Sequence, residues 1–107
     1  FNLKNIIFED LDVSSIPMKM NLNCYPNPAN SFVSIQWNSD FILSTDVDIY
    51  SISGSRVFSK KLVSQKGENE LHWYLKSQDM KKVPSGIYLI KVETSNEVSI
   101  NKITYLK

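Results

Sequence analysis

Cysteine is nearly missing from this chain: Cys24 stands alone, so no disulfide can close within it and its thiols do not reveal a redox compartment. A single thiol beside a stretch of strand character is expected to behave as a small buried hydrophobe. Histidine is equally scarce, with only His72. General acid/base or triad chemistry would need that imidazole beside a nucleophile and an orienting carboxylate, and one His with one Cys cannot complete a closed zinc site. Glycine is confined to positions 54, 67 and 86, each at a turn signal, which leaves no phosphate-cradling loop. No apolar run is long enough to cross a bilayer as a helix, and no charged region followed by an apolar signal core opens the chain. Twelve basic against eleven acidic residues give a formal charge of +1, so a field of one sign for holding nucleic acid or an anionic membrane is lacking. The Lys60-Lys61 and Lys81-Lys82 pairs read as solvated lysines on an edge or loop.

What is present is globular. With 42% hydrophobic and 21% charged residues, the 107-residue chain has the material for one core and too little length for a second. The expected organisation is a leader over residues 1–21 and one domain over 22–107. The start at Phe1 fits a processed product or a piece of a longer protein. In the leader, Ile6-Ile7-Phe8 is apolar, Glu9-Asp10-Leu11-Asp12 is acidic, and Ser14-Ser15-Ile16-Pro17 reads as a linker. An extra edge strand over residues 5–8 is the alternative.

Period-two alternation recurs along the domain, and it is the primary sign of strands. Phe32 to Trp37 puts Val33, Ile35 and Trp37 on one face, and Asp46 to Ile52 puts Val47 and Ile49 inward. Ser53-Gly54-Ser55 breaks that run as a hairpin turn does, and Arg56 to Val63 returns. After a turn at Gln65-Lys66-Gly67, Glu70 to Leu75 sets Leu71, Trp73 and Leu75 opposite His72 and Tyr74. Residues 76–83 lack strand character and are expected to hold one short helical turn, with Ser77 or Asp79 as cap. Gly86 to Thr94 is apolar on both faces, as a strand covered on both sides would be. Val98 to Leu106 runs back, and a change of apolar phase near Asn101 suggests a β-bulge. With a short strand at 22–25, this makes about seven strands with regular turn signals, the pattern of an antiparallel β-sandwich. Facing sheets would bury the Val33/Ile35/Trp37 and Leu71/Trp73/Leu75 rows together.

Few residues offer chemistry. Glu9/Asp10/Asp12 and Asp46/Asp48 could supply oxygen ligands to calcium, yet neither set sits in a spaced, glycine-punctuated loop, and solvated carboxylates are expected. No cofactor is implied. Exposed Tyr50, Tyr74 and Tyr105 on one sheet would make a sugar platform, the mark of a cell-surface carbohydrate-binding or adhesion module. The firmest feature is Pro26-Asn27-Pro28: each proline fixes its own φ and pushes its predecessor toward extended geometry, so the corner sets how the chain enters the first long strand.

The stretches YPNPANSFVSI (25–35), VDIYSISGSRVFSKKL (47–62), VPSGIYLIKVET (83–94) and INKITYLK (100–107) together resemble, in order and spacing over residues 22–107, the C-terminal sorting domain of type IX secretion cargo. That resemblance implies a seven-stranded immunoglobulin-like sandwich that does no chemistry. It implies a non-catalytic export signal that takes its cargo across the periplasm to an outer-membrane translocon. The implied partners are the translocon, a β-barrel shuttle protein and a cell-surface cysteine-protease sortase that cuts in the leader between Asp12 and Leu22; the product would reach the cell surface or the medium of a Gram-negative bacterium. Carried onto this chain, the family's motif positions are Pro26, Asn27 and Pro28; Gly54 and Val57; Ser85, Gly86 and Tyr88; and Lys102 with Lys107. The terminal strand and its lysines are the best candidates for direct contact, because a chain end can augment a partner's sheet.

Overall fold

A computed structural model describes residues 20–107. The leader readings, including the alternative strand over 5–8, the acidic Glu9/Asp10/Asp12 set and the cleavage segment up to residue 19, lie outside the described residues.

Among the described residues seven strands follow one another: β1 Asn23–Tyr25, β2 Val33–Ser39, β3 Leu43–Ser51, β4 Arg56–Ser64, β5 Gly67–Trp73, β6 Gly86–Thr94 and β7 Val98–Tyr105. No helix occurs among the described residues. They form two antiparallel sheets, one of three strands in the order β1-β2-β5 and one of four in the order β4-β3-β6-β7.

The alternating residues read from the sequence become the inner faces. Val33, Ile35, Trp37 and Trp73 from the smaller sheet meet Val47, Ile49, Tyr88, Ile90, Val92, Ile103 and Tyr105 from the larger one in a single buried cluster. The Val33/Ile35/Trp37 and Leu71/Trp73 rows do not face each other: β2 and β5 are neighbours, with Val33 opposite Trp73 and Ile35 opposite Leu71. Both rows face the larger sheet, where the Trp73 and Tyr88 rings meet edge to face at 5.5 Å and 67°. Each fully buried aliphatic side chain contributes about 1.5–3 kcal/mol, so this face-to-face burial is the main stabilising term. One polar link crosses the core: the Trp37 indole Nε1–H donates to Ser64 Oγ at 2.9 Å, and Ser64 also bonds Thr45.

Gly54 and Gly67 take φ values of 89° and 100°, which the β3–β4 turn and the start of β5 require and which side chains with a Cβ resist. The hairpin closes through Gly54 N–H to the Ser51 carbonyl and Ser51 N–H to the Ser55 carbonyl.

Two local expectations are corrected. Residues 76–83 hold no helical turn but a small hairpin: Lys76 pairs with Lys82, Ser77 N–H donates to the Lys81 carbonyl, and Val83 N–H to the Leu75 carbonyl. Leu75 and Met80 have φ of 61° and 65°, which no right-handed helix accommodates. β7 also has no bulge at Asn101, because its register against β6 runs unbroken from Val98 to Tyr105. The apolar phase changes because Ile100 is buried on the outward face while Ile103 and Tyr105 are buried on the inward one. The register shift of this sheet lies instead between β3 and β4, at Ile49/Tyr50.

Candidate functional site

The proline corner is a clip on the last strand. The Tyr25–Pro26 and Asn27–Pro28 peptide bonds are both cis, and between them Asn27 turns its side-chain amide onto β7. Thr104 N–H donates to Asn27 Oδ1 at 3.0 Å, and Asn27 Nδ2 donates to the Lys102 carbonyl at 3.4 Å. Ala29 continues the contact as a short parallel bridge to Tyr105. Its N–H donates to the Thr104 carbonyl, and its carbonyl accepts from Leu106 N–H, both at 2.8 Å. β7 is an edge strand, so without these bonds its outward backbone groups would stand open to any passing strand. The corner occupies those from the Lys102 carbonyl to Leu106 N–H.

The end of the same strand is tied from the other side. Lys107 N–H donates to Ser85 Oγ at 3.2 Å, Gly86 pairs with Tyr105, and Tyr88 pairs with Ile103. The Tyr88 ring lies in the core, and its hydroxyl donates to the Pro84 carbonyl at 2.5 Å, which fixes the Pro84-Ser85-Gly86 corner against the strand it opens. Burial, then the neighbouring Tyr105, raises the pKa of that hydroxyl.

Of the motif residues named from the sequence, Pro26, Asn27, Pro28, Ser85, Gly86, Tyr88, Lys102 and Lys107 therefore gather around the C-terminal half of β7. Pro26, Asn27, Pro28, Ser85, Lys102, Leu106 and Lys107 are exposed there. Gly54 and Val57 are not part of this group. Gly54 serves the β3–β4 hairpin, and Val57 is half-buried against the core with its carbonyl accepting from Gln78 N–H. Sequence reasoning missed Ala29 and Thr104, whose roles are played by backbone groups and leave little mark on side-chain pattern.

Elsewhere the chemistry is structural. Burial pushes the Cys24 thiol up to about 12, opposed only weakly by its bond with Asn101. His72 lies on the outward face of β5, 3.4 Å from Glu70 and beside the Phe32 and Tyr74 rings. Ser34 and Gln36 donate to Glu70 and hold its carboxyl below the ordinary glutamate value, with His72 adding to the effect. Asp46 pairs with Lys61 at 3.2 Å, and Asp48 sits between Arg56 and Lys91 at 3.7 and 3.9 Å, so both act as ion-pair partners. No group of three or more candidate metal ligands is found among the described residues. The three tyrosines named as a sugar platform are scattered: Tyr105 is in the core, Tyr50 lies under Lys91 on the larger sheet, and Tyr74 is exposed just beyond β5. A shallow groove of ≈ 360 Å³ on the outward face of the smaller sheet is lined by polar side chains, including Asn23, Gln36, Asn38, Glu68 and Glu70.

Two solved structures share this arrangement of strands. Dimeric latent PorU from Porphyromonas gingivalis superposes with a TM-score of 0.72 at 21% identity, over 85% of this chain and 10% of that one. PorZ, a surface component of the type IX secretion system of the same organism, superposes with a TM-score of 0.58 at 18% identity, over 80% of this chain and 11% of that one. At such identities the likeness is one of fold, and this chain spans only about a tenth of either protein. No curated protein sequence matches it. A family model, the secretion system C-terminal sorting domain, matches residues 23–105, from the first residue of β1 to the last of β7. The chain belongs to the secretion system C-terminal sorting domain family.

Proposed function

We propose that the address this sorting domain carries is the clipped C-terminal strand, displayed as a folded shape by its two flanking corners. As a sorting domain of the type IX kind, the chain directs the protein that bears it out across the outer membrane. The observation that carries the finer reading is convergence: motif stretches far apart in sequence meet on β7, through Asn27 with Thr104 and Lys102, and Ser85 with Lys107.

In this reading the partners are an outer-membrane translocon and a β-barrel shuttle protein, which engage the exposed Lys102, Leu106 and Lys107 beside the corner. Pro26, Asn27, Pro28, Ser85, Gly86 and Tyr88 present that surface, and Gly54 and Val57 keep the β3–β4 hairpin in place behind it. The sorting domain spans residues 22–107, with Met20 of the preceding leader lodged in its core. A cell-surface cysteine-protease sortase then removes the domain by cutting upstream, and the product goes to the cell surface or the medium. The strand order β1-β2-β5 against β4-β3-β6-β7 supports an immunoglobulin-like assignment for the sandwich.

The test is export of a fluorescent reporter that carries an N-terminal periplasmic signal and is fused to the whole chain, in a type IX-competent bacterium and in a translocon-deficient strain. Fluorescence outside the first strain alone is expected, and it should be lost when β7 is deleted or when Lys102, Leu106 and Lys107 are replaced together by serine. Equal retention in both strains would overturn the export reading, and undiminished export of the triple variant would overturn the surface assigned here.

A further inference from the structure

The two sheets differ by one strand, and the mismatch falls at one flank. β1 runs beside β7, where Asn101 Nδ2 donates to the Leu22 carbonyl, so β5 and β4 share the opposite side. There the core is left half open. Phe58 and Leu62 of β4 and Leu71 of β5 are packed against the buried cluster but are only partly buried, whereas the corresponding residues of β3 and β2, Ile49 and Ile35, are fully enclosed.

Three of the four sheet edges are guarded. β7 is occupied over its C-terminal half by Asn27 and Ala29, and β1 is only three residues long. On β4, Gln78 takes the Val57 carbonyl and Ser59 N–H, and the exposed Lys60 and Lys61 follow. β5 has seven residues and ends its sheet; Asn69 Nδ2 takes the Gly67 carbonyl at 3.2 Å, and beyond the strand ladder no other bond among the described residues reaches the backbone of residues 67–73. In an antiparallel edge strand, alternate residues aim N–H and C=O away from the sheet, and a long edge left bare is a template for another strand.

We propose that the free edge of β5 is a docking site for an extended basic segment of a partner protein, which adds as a fourth strand to the smaller sheet. Alternation fixes its chemistry. Residues facing inward would be apolar and close the notch over Phe58, Leu62 and Leu71, beside the exposed Lys60 that lies between Phe58 and Leu62 on the same face of β4. Residues facing outward would be lysine or arginine, because β5 carries neither Lys nor Arg and presents on its outward face Glu68, with Glu70, which already accepts from Ser34 and Gln36, and His72 beyond it. The added strand supplies the backbone partners that the edge lacks and completes a four-on-four sandwich. This inference stands apart from the β7 reading, since it concerns the opposite flank.

The experiment is a backbone-amide NMR titration of the whole chain with a seven-residue capped peptide of alternating lysine and valine, with its glutamate-valine counterpart as control. The lysine peptide is expected to shift the amides of residues 67–73 and the side-chain signals of Phe58, Leu62 and Leu71, and to slow exchange of the outward β5 amides about tenfold. Glu68→Lys, an exposed change, should weaken that peptide by roughly two- to fivefold and improve the glutamate peptide. Shifts centred on β7 or β4, equal binding of both peptides, or no effect of Glu68→Lys would each overturn the proposal. So would concentration-dependent dimerisation that protects β5 without any peptide, since a second copy would then be the occupant.

Discussion

Replacing Asn27 by alanine tests whether the corner holds β7 or merely lies near it. The side chain makes one bond of ordinary length, accepting from Thr104 N–H at 3.0 Å, and one at the outer limit, donating to the Lys102 carbonyl at 3.4 Å. A bond of the first kind is worth about 0.5–1.5 kcal/mol net, and the second adds little at that length. Asn27 is exposed, so water can take over Thr104 N–H and the loss should sit near the middle of that range, about 1 kcal/mol. For a domain of this size that corresponds to a fall in Tm of about 4–8 °C. The local signature is sharper: exchange of the Thr104 amide should accelerate, while amides in β3 change only as far as global stability does. Asn27→Asp keeps an acceptor for Thr104 N–H and gives up only the weak donation to Lys102, so it should retain most of the stability. The assay is thermal unfolding followed by circular dichroism, with hydrogen exchange read by NMR. If alanine and aspartate lose equally, or if Thr104 exchange is unmoved in both, Asn27 is not a clip.

Ser64→Ala removes the acceptor of the buried Trp37 indole N–H and a partner of Thr45, and should cost about 1–3 kcal/mol in urea unfolding. Glu70 has a depressed folded-state pKa through Ser34 and Gln36, so the stability it contributes is present above the unfolded value of about 4.5 and is lost as pH falls through the folded one. Glu70→Gln should flatten that acid-side loss of Tm below pH 4.5 while leaving the profile above it parallel to the parent; an unchanged acid limb would remove the argument. Raising Cys24 from 9.0 to about 12 leaves about a thousandfold fewer thiolates at pH 8, so iodoacetamide labelling of the native chain should be slower than that of the urea-unfolded chain by at least about a hundredfold. Comparable rates would mean that the thiol is reached in the folded state.

Much of this fold is written in local pattern. The rows Val33/Ile35/Trp37 and Tyr88/Ile90/Val92 alternate because one face of each strand must leave water, and Gly54 and Gly67 mark turns because their φ values exclude most other residues. Errors arose where two faces compete. Ile100 and Ile103 sit at opposite parity on β7, and from sequence that looks like a slip, although the strand pairs with β6 without a break and both residues are buried. The 76–83 segment offered Ser77 and Asp79 as helix caps, but Ser77 instead closes a hairpin with Lys81, because Leu75 must leave β5 with its side chain still in the core. The candidate site was half visible. The proline corner, the Pro84-Ser85-Gly86 corner and the terminal lysines stand out as motifs, yet no periodicity says that Asn27 reaches a backbone group 77 residues away.

That separation bears on how such a domain can work as a signal. A linear tag is legible in an unfolded chain, whereas the surface around β7 exists only after residues 25–29, 84–88 and 102–107 have been brought together by the whole sandwich. β7 pairs with β6, β6 with β3, and β3 with β4, so the displayed strand depends on the register of the entire four-stranded sheet. A destabilising change deep in the core, such as one at Ile49 or Val92, should therefore abolish export without touching any exposed residue, by lowering the fraction of molecules in which the address is assembled. A change confined to exposed Lys102 or Lys107 should impair export at full stability. Measuring Tm and export together across both sets separates the two routes: if core variants that are largely unfolded at the growth temperature export as well as the parent, the address is read from the chain and not from its shape.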